Sequence, residues 1–220
     1  MSRRRMMMMM QQRKGFEIVY NSPSGVFPEN IDGWSWRKGN ANGKIGVGGV
    51  ALTDSLLVVK ANHLYENVIY YPTEHLTARN CEASVTVTDW YRSVAGGSAY
   101  KTGIVRIGLT DGVSYAICAI DEEYLYIGAI ANDNSLNKGN SLAKIPITTP
   151  NEFTLRVRFM GGKAEYYIND ELIYTQTEPY SVDKLSYGGI TSYFVSTPQN
   201  FIGFGTACIT TISDMTYKEW

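Results

Sequence analysis

Apolar and polar residues alternate along much of this chain with the two-residue period of a half-buried strand. In FTLRVRFM, Phe153, Leu155, Val157 and Phe159 fall on one side, and Thr154, Arg156 and Arg158 on the other. In ASVTVTDW, Val85 and Val87 oppose Thr86 and Thr88. The sheet carrying these strands is predicted to keep one face wet or lightly covered. No window longer than about ten residues keeps an apolar 3.6-residue period with caps, so no helix is predicted. Other strand-like runs are FEIVY (16–20), the two halves of IGVGGVALTDSLLVVKA (45–61) around Thr53-Asp54-Ser55, ENVIYYP and CEASVTVTDWYR. TGIVRIGLTD, VSYAICAI, EYLYIGAIA and SLAKIPIT follow in quick succession, joined by DG, DE and the loop NDNSLNKGN. After Pro150 come FTLRVRFM and KAEYYIND around Gly161-Gly162, then ELIYTQ, LSYGGITSYFV, FIGFGTA and CITTISDMTYKEW. WSWRKGNANGK is read as a loop holding Trp34 and Trp36. About fourteen short strands at roughly 8–12-residue spacing predict a β-sandwich or barrel.

Composition agrees with that reading. The 220 residues include 16 Tyr, 7 Phe, 4 Trp and 21 Gly. Tyr, Thr, Val and Ile outweigh the usual helix formers. The length suits one domain, taken as residues 15–220, behind an arm of residues 1–14. Cys81, Cys118 and Cys208 are too few and too widely spaced for a disulfide framework or a zinc motif. Cys118, inside SYAICAI, is expected to be a buried thiol in a protein folded in a reducing cytoplasm.

The stretch NEFTLRVRFMGGKAEYYINDELIYTQ orders a strand, a Gly-Gly turn, a strand ending in Asn169-Asp170, and another strand. It resembles a hairpin of the concanavalin A-like lectin/glucanase superfamily, including its laminin-G-like branch. Asp170 stands where that family usually has Gly, and Asp tolerates tight turns. GVALTDSLLVVKA resembles an early strand pair of the family. ISDMTYKEW resembles its last strand, which runs back beside the first. The resemblance covers roughly residues 15–220. It implies an all-β fold: a jelly-roll β-sandwich of two antiparallel sheets, with sugars or catalytic carboxylates held on one face and its rim.

Fold does not dictate function, so the chemistry is weighed residue by residue. Retaining glucanases of this superfamily carry Glu-x-Asp-x-(x)-Glu on one strand, and the stretch Ala119, Asp121, Glu123 is the nearest match. The nucleophile position is then Ala119, and Asp121-Glu122-Glu123 reads better as a hairpin turn. No enzyme is therefore expected, with a diverged glycoside hydrolase as the alternative. His63 and His75 lie on different segments and are read as surface or core residues rather than ligands. Related lectins bind calcium through loops resembling NDNSLNKGN. That loop lacks the EF-hand pattern, so it is read first as a polar loop and no cofactor or metal is assigned. Gly46 to Ala51 fit G-x-G-x-x-A by letter but lead into a strand, so no dinucleotide fingerprint follows. Sugar binding without catalysis asks only for aromatic platforms and hydrogen-bonding groups. Trp90, Tyr91 and Tyr193 are the glycan-binding candidates, with Trp34 and Trp36 as further platforms. Each is also a natural core or interface aromatic.

The chain opens MSRRRMMMMMQQRKG. Met6 to Met10 are too short a run for an export signal and no small-residue cleavage site follows. Arg3, Arg4, Arg5, Arg13 and Lys14 carry five of the 20 basic residues, with no acid among them. The remaining 15 basic and 21 acidic residues leave a body of −6 behind an arm of +5. The arm reads equally as an unstructured start with redundant initiation methionines or as an anchor led by Arg3, Arg4 and Arg5. Its Arg-then-Met pattern resembles the starts of proteins from gut Bacteroidetes and their crAss-like phages. That resemblance implies a virion protein made in the host cytoplasm, on capsid or tail. The expected partners are a glycan or host-surface ligand, other virion proteins through the arm, and further copies of the chain. No membrane or specific nucleic acid is expected. The alternative is a carbohydrate-binding module of a bacterial cell.

Overall fold

The structure is a computed structural model. It describes residues 16–21, 32–39, 49–53, 56–60, 67–75, 77–92, 104–120, 123–128, 142–148, 152–181, 199–205 and 208–220. These residues form two antiparallel sheets packed as a jelly-roll β-sandwich, with no helix among them.

The first sheet contains β1 (Phe16–Asn21), β3 (Gly49–Thr53), β4 (Leu56–Lys60), β6 (Asn80–Arg92), β11 (Phe153–Met160), β12 (Lys163–Ile168), β13 (Glu171–Gln176) and β16 (Cys208–Glu219). Its order is β13-β12-β11-β6-β16-β4-β3, and β1 pairs with the far end of β16. The last strand thus runs beside the first, as the family resemblance implied. The second sheet contains β2 (Trp34–Gly39), β5 (Asn67–Pro72), β7 (Ile104–Thr110), β8 (Ser114–Ile120), β9 (Tyr124–Ile127), β10 (Ala143–Pro146), β14 (Tyr180–Ser181) and β15 (Phe201–Gly205). Its order is β10-β9-β8-β7-β15-β5-β2, with β14 paired to β8.

Alternation decides what lies between the sheets. Phe153, Leu155, Val157 and Phe159 of β11 are buried against Val105, Ile107 and Leu109 of β7 and Ala116, Cys118 and Ile120 of β8 in one core. Full burial of each such side chain stabilises the fold by about 1.5–3 kcal/mol. The stretch from Trp34, expected to be a loop, is instead an edge strand. Its backbone pairs with β5 from Trp34↔Pro72 to Gly39↔Asn67. Trp34 is a core residue at 4% exposure, not a ligand platform. A neighbouring strand supplied the structure that the local glycines and asparagines did not forecast.

The hairpins form where turn chemistry predicts. Gly161 and Gly162 take φ of 55° and 77° between β11 and β12. Asn169 and Asp170 take φ of 50° and 65° between β12 and β13. Both turns need left-handed backbone, which Gly, Asn and Asp supply most cheaply. Asn169 also accepts a hydrogen bond from the Thr154 amide at 2.8 Å, tying the turn to β11.

The outward face of the first sheet is a paired polar surface. The register aligns Glu17, Lys218, Glu82, Arg158 and Glu165 across five strands, alternating in sign at every step. Lys218 meets Glu17 at 3.1 Å, while Arg158 and Arg156 meet Glu82 at 3.6 and 3.4 Å. Arg156 also reaches Asp170 at 3.1 Å and lies 4.0 Å over the Tyr167 ring. Thr86 and Thr154 share a 2.9 Å hydrogen bond in the adjacent row. Cross-strand neighbours of this kind are the unit of sheet stabilisation.

Candidate functional site

The outward face of the second sheet is built differently. Because Val105, Ile107 and Leu109 point to the core, Arg106, Gly108 and Thr110 point away from it. By register the same face carries Gly203 beside Arg106 on one flank and Ala119 on the other. The row continues to Tyr126 of β9 and Lys144 of β10. Both register neighbours of Arg106, Gly203 and Ala119, are small.

Arg106 is 8% exposed, and its Nε is buried without a hydrogen-bond partner. Among the described residues it has no ion-pair partner either. Burial lowers its pKa to about 10, which leaves it charged at neutral pH. At the sheet edge the row ends in an aromatic and cationic group. The Tyr124 and Tyr126 rings lie 5.8 Å apart, tilted by 53°. Lys144 Nζ stands 3.5 Å above the Tyr124 centroid and 6.0 Å from that of Tyr126. Among the described strand residues of this face none carries a carboxylate.

The next row is aromatic. Phe201 and Ile117 flank Gly108 in register. Tyr115 and Phe201 stand with ring centroids 6.5 Å apart. A Cβ on Gly108 would lie 2.4 Å from Phe201 Cε1 and 2.5 Å from the Tyr115 hydroxyl. Glycine is thus the residue that lets both rings lie over β7.

A second polar group ties the sheets together at one end. His75 Nδ1 lies 3.1 Å from Glu219, which also accepts a 2.6 Å hydrogen bond from the Tyr217 hydroxyl. Asn200 donates to that hydroxyl at 2.7 Å and to the His75 carbonyl at 3.3 Å. Its own carbonyl oxygen accepts from the Thr110 amide at 2.8 Å. Burial, foremost, pushes the Tyr217 hydroxyl pKa upward, so it stays protonated as donor. Each Asn200 bond joins a different strand end, the arrangement of a structural latch. Sequence reasoning treated His75 alone because its partner lies 144 residues away.

The sequence-derived candidates distribute as follows. Trp90 and Tyr91 lie on β6 of the first sheet, opposite Thr210 and Ile209, whereas the Arg106 row belongs to the second. Their side chains, with Tyr193, Arg3, Arg4, Arg5, His63 and the loop NDNSLNKGN, lie outside the described residues. Ala119, at the position the glucanase resemblance gives to a nucleophile, faces outward directly opposite Arg106. Cys81 and Cys118 are buried free thiols. Burial pushes the Cys118 pKa up to about 12, leaving it an inert thiol. Among the described residues, no three His, Cys, Asp or Glu gather into a metal-binding group.

This two-sheet architecture is shared with solved carbohydrate recognition domains. The VIP36 exoplasmic/lumenal domain, solved with calcium and Man3GlcNAc bound, is similar at a TM-score of 0.51 and 12% identity, over 90% of this chain and 89% of that one. The Emp46p carbohydrate recognition domain is similar at 0.52 and 9% identity, over 90% and 95%. A third similar chain comes from work showing that prominent members of the human gut microbiota express endo-acting O-glycanases to initiate mucin breakdown. It scores 0.53 at 11% identity, over 92% and 98%. No protein-family model and no curated protein matches the chain.

Proposed function

We propose that this chain is a non-catalytic glycan-binding domain, and that it is carried on a phage virion as a capsid or tail accessory protein. The observation that carries the first part is the edge of the second sheet, where the exposed Lys144 Nζ stands 3.5 Å over the half-buried Tyr124 ring. The fold of the chain is shared with carbohydrate recognition domains. Sugars are bound by aromatic faces and a few fixed polar groups, and this edge offers one of each. Support for the virion setting is the basic, methionine-rich start, whose five cations suit contact with an acidic partner.

The test is a glycan panel probed with the purified chain, reading both retained protein and released sugar, with and without a chelator. Retention without release, unchanged by chelator, is the expected result. Released sugar would establish instead a diverged glycoside hydrolase, a reading with which likeness to the O-glycanase work is consistent. Loss of retention in chelator would show that a divalent cation takes part in binding. For the virion setting, particles are assembled with a chain lacking residues 1–12. Unchanged incorporation would remove the anchoring role of Arg3, Arg4 and Arg5.

A further inference from the structure

The outward face of the first sheet pairs its charges across strands, except at one end. Phe159, Cys81, Ala164 and Tyr217 point to the core there, so Met160, Asn80, Lys163 and Trp220 point away from it. These four form the last row, across the ends of β11, β6, β12 and β16. Trp220 is 43% exposed and Met160 39%, and Lys163 is exposed. The Trp220 ring lies 5.3 Å from the Arg158 guanidinium in the row behind. Arg158 is the less committed arginine of this face. Arg156 holds Glu82, Asp170 and the Tyr167 ring. Arg158, 40% exposed, has among the described residues only Glu82, at 3.6 Å, and the indole. Asn80 fixes the backbone under that ring. Its carbonyl accepts from the Trp220 amide at 3.4 Å, and its side-chain amide donates to the Trp220 carbonyl at 3.5 Å. Its side-chain oxygen accepts from the Gly161 amide at 3.1 Å, which ties the β11–β12 turn to the same corner. An exposed ring held by rigid strand ends and bordered by polar groups is preorganised for a ligand.

We propose that this corner is a second sugar-contact surface, where a neutral hexopyranose stacks on the Trp220 indole and Arg158 and Lys163 donate to its hydroxyl oxygens. The proposal rests on the glycan-binding reading, and adds to the Tyr124 edge a surface on the opposite sheet. An indole offers a broad apolar face to the C–H side of a sugar ring. Met160 lies two strand spacings from Trp220, roughly 10 Å, so apolar surface continues under a second ring. Glu82 and Glu165 flank Arg158 in register, so the cations here are balanced by carboxylates. A sulfated or carboxylated sugar would be repelled by those acids, whereas a neutral ring needs no counter-charge. Hydroxyl groups both donate and accept, which suits a corner holding guanidinium, ammonium and carboxylate side by side.

The experiment titrates the purified full chain with lactose, chitobiose, α1,2-mannobiose and glucuronic acid, read by nuclear magnetic resonance. The Trp220 indole N–H is assigned by its absence in Trp220→Phe. At least one of the three neutral sugars should shift it saturably, together with the Asn80 and Gly161 amides. Arg158→Gln and Lys163→Gln should each weaken that titration about three- to tenfold. Salt at about 0.5 M should change it less than about twofold, because the ligand carries no charge. Trp220→Ala should abolish the Asn80 and Gly161 shifts, while the unfolding midpoint moves by less than about 2 °C. Trp220→Tyr keeps a smaller ring and should retain weakened shifts at the same amides.

Four outcomes overturn the proposal. One is Asn80 and Gly161 shifts that survive Trp220→Ala. Another is glucuronic acid binding more tightly than every neutral sugar. The third is an indole shift that follows protein concentration without sugar, which would assign the corner to contact with a second copy of the chain. The fourth is an indole that no sugar shifts. If the glycan panel still retains the chain in that case, only this corner is overturned. Retention of no glycan would overturn the glycan-binding reading as well.

Discussion

The two outward faces of this sandwich solve opposite problems. On the first sheet, Glu17, Lys218, Glu82, Arg158 and Glu165 alternate in sign across five strands, so each charge meets its opposite. On the second, the equivalent row runs Gly203, Arg106, Ala119, Tyr126 and Lys144, with two cations and no acid. The second is buried yet holds a charge that its described neighbours do not answer. A polar face whose charges pair across strands stabilises the sheet.

The largest test of this contrast falls on the packing of the second face. Gly108→Ala would drive a methyl to within 2.4 Å of Phe201 and 2.5 Å of the Tyr115 hydroxyl. Both rings sit on a crowded, buried face, so the strain cannot be shed to solvent. Destabilisation of about 3 kcal/mol is expected in urea unfolding, at the upper end for overpacking. A cost near zero would show that this face is loosely packed, and the contrast between faces would weaken.

How much of this was legible in the sequence follows from the reach of each signal. The β11–β12–β13 hairpins could be read because their alternation and left-handed turn residues are local. The jelly roll followed from the family resemblance that these hairpins carry, the strand spacing alone giving a β-sandwich or barrel. The alternating charge row could not be read, because Glu17, Lys218, Glu82, Arg158 and Glu165 meet only through register between distant strands. Arg106 was hidden for a related reason. In TGIVRIGLTD it resembles any polar residue of an alternating strand, as Arg156 and Arg158 do. What sets it apart is that Arg156 and Arg158 meet Glu82 while Arg106 meets no carboxylate among the described residues, and that is a property of the folded chain. The strand at Trp34 was missed because its pairing to β5 outweighed local composition.

Alkaline unfolding sharpens the comparison next. Burial raises the Tyr115 pKa above its ordinary value near 10, so the folded chain keeps a proton that the unfolded chain releases. Above about pH 10 the unfolded state binds fewer protons, and stability must fall as pH rises. Cys118, pushed up to about 12, adds to the same decline from the ordinary thiol range upward. Tyr115→Phe should flatten the slope between about pH 10 and 11, by up to roughly 1.4 kcal/mol per pH unit. Tyr167 lies on the first sheet's outward face, and its pKa is raised chiefly by its hydrogen bond to Glu165. Tyr167→Phe should change that slope less, since the half-buried ring owes its shift chiefly to one hydrogen bond rather than to full burial. Equal effects of the two substitutions would erase the distinction between the faces.

On the first sheet, Glu82→Gln removes the shared partner of Arg156 and Arg158. Arg156 keeps Asp170, and Arg158 is partly solvated, so the expected loss is about 1 kcal/mol. The loss should shrink in high salt, because screening already weakens the wild-type pairs. A loss above about 3 kcal/mol would mean that this face too holds a buried charge that water cannot relieve.

The smallest effect is expected at Asp170. Its φ of 65° is a conformation that glycine adopts freely and aspartate adopts at a cost. Asp170→Gly therefore relieves backbone strain at the turn. It also removes the 3.1 Å contact to Arg156, but that carboxylate is 89% exposed, where an ion pair is worth little. The two changes oppose each other, and the unfolding midpoint should move by less than about 2 °C. Arg156 would still hold Glu82 and the Tyr167 ring. A large drop would instead make Asp170 an essential member of the paired network rather than a turn residue at its margin. The first face would then depend on its outermost charge, and its self-sufficiency would rest on fewer contacts than its alternating row provides.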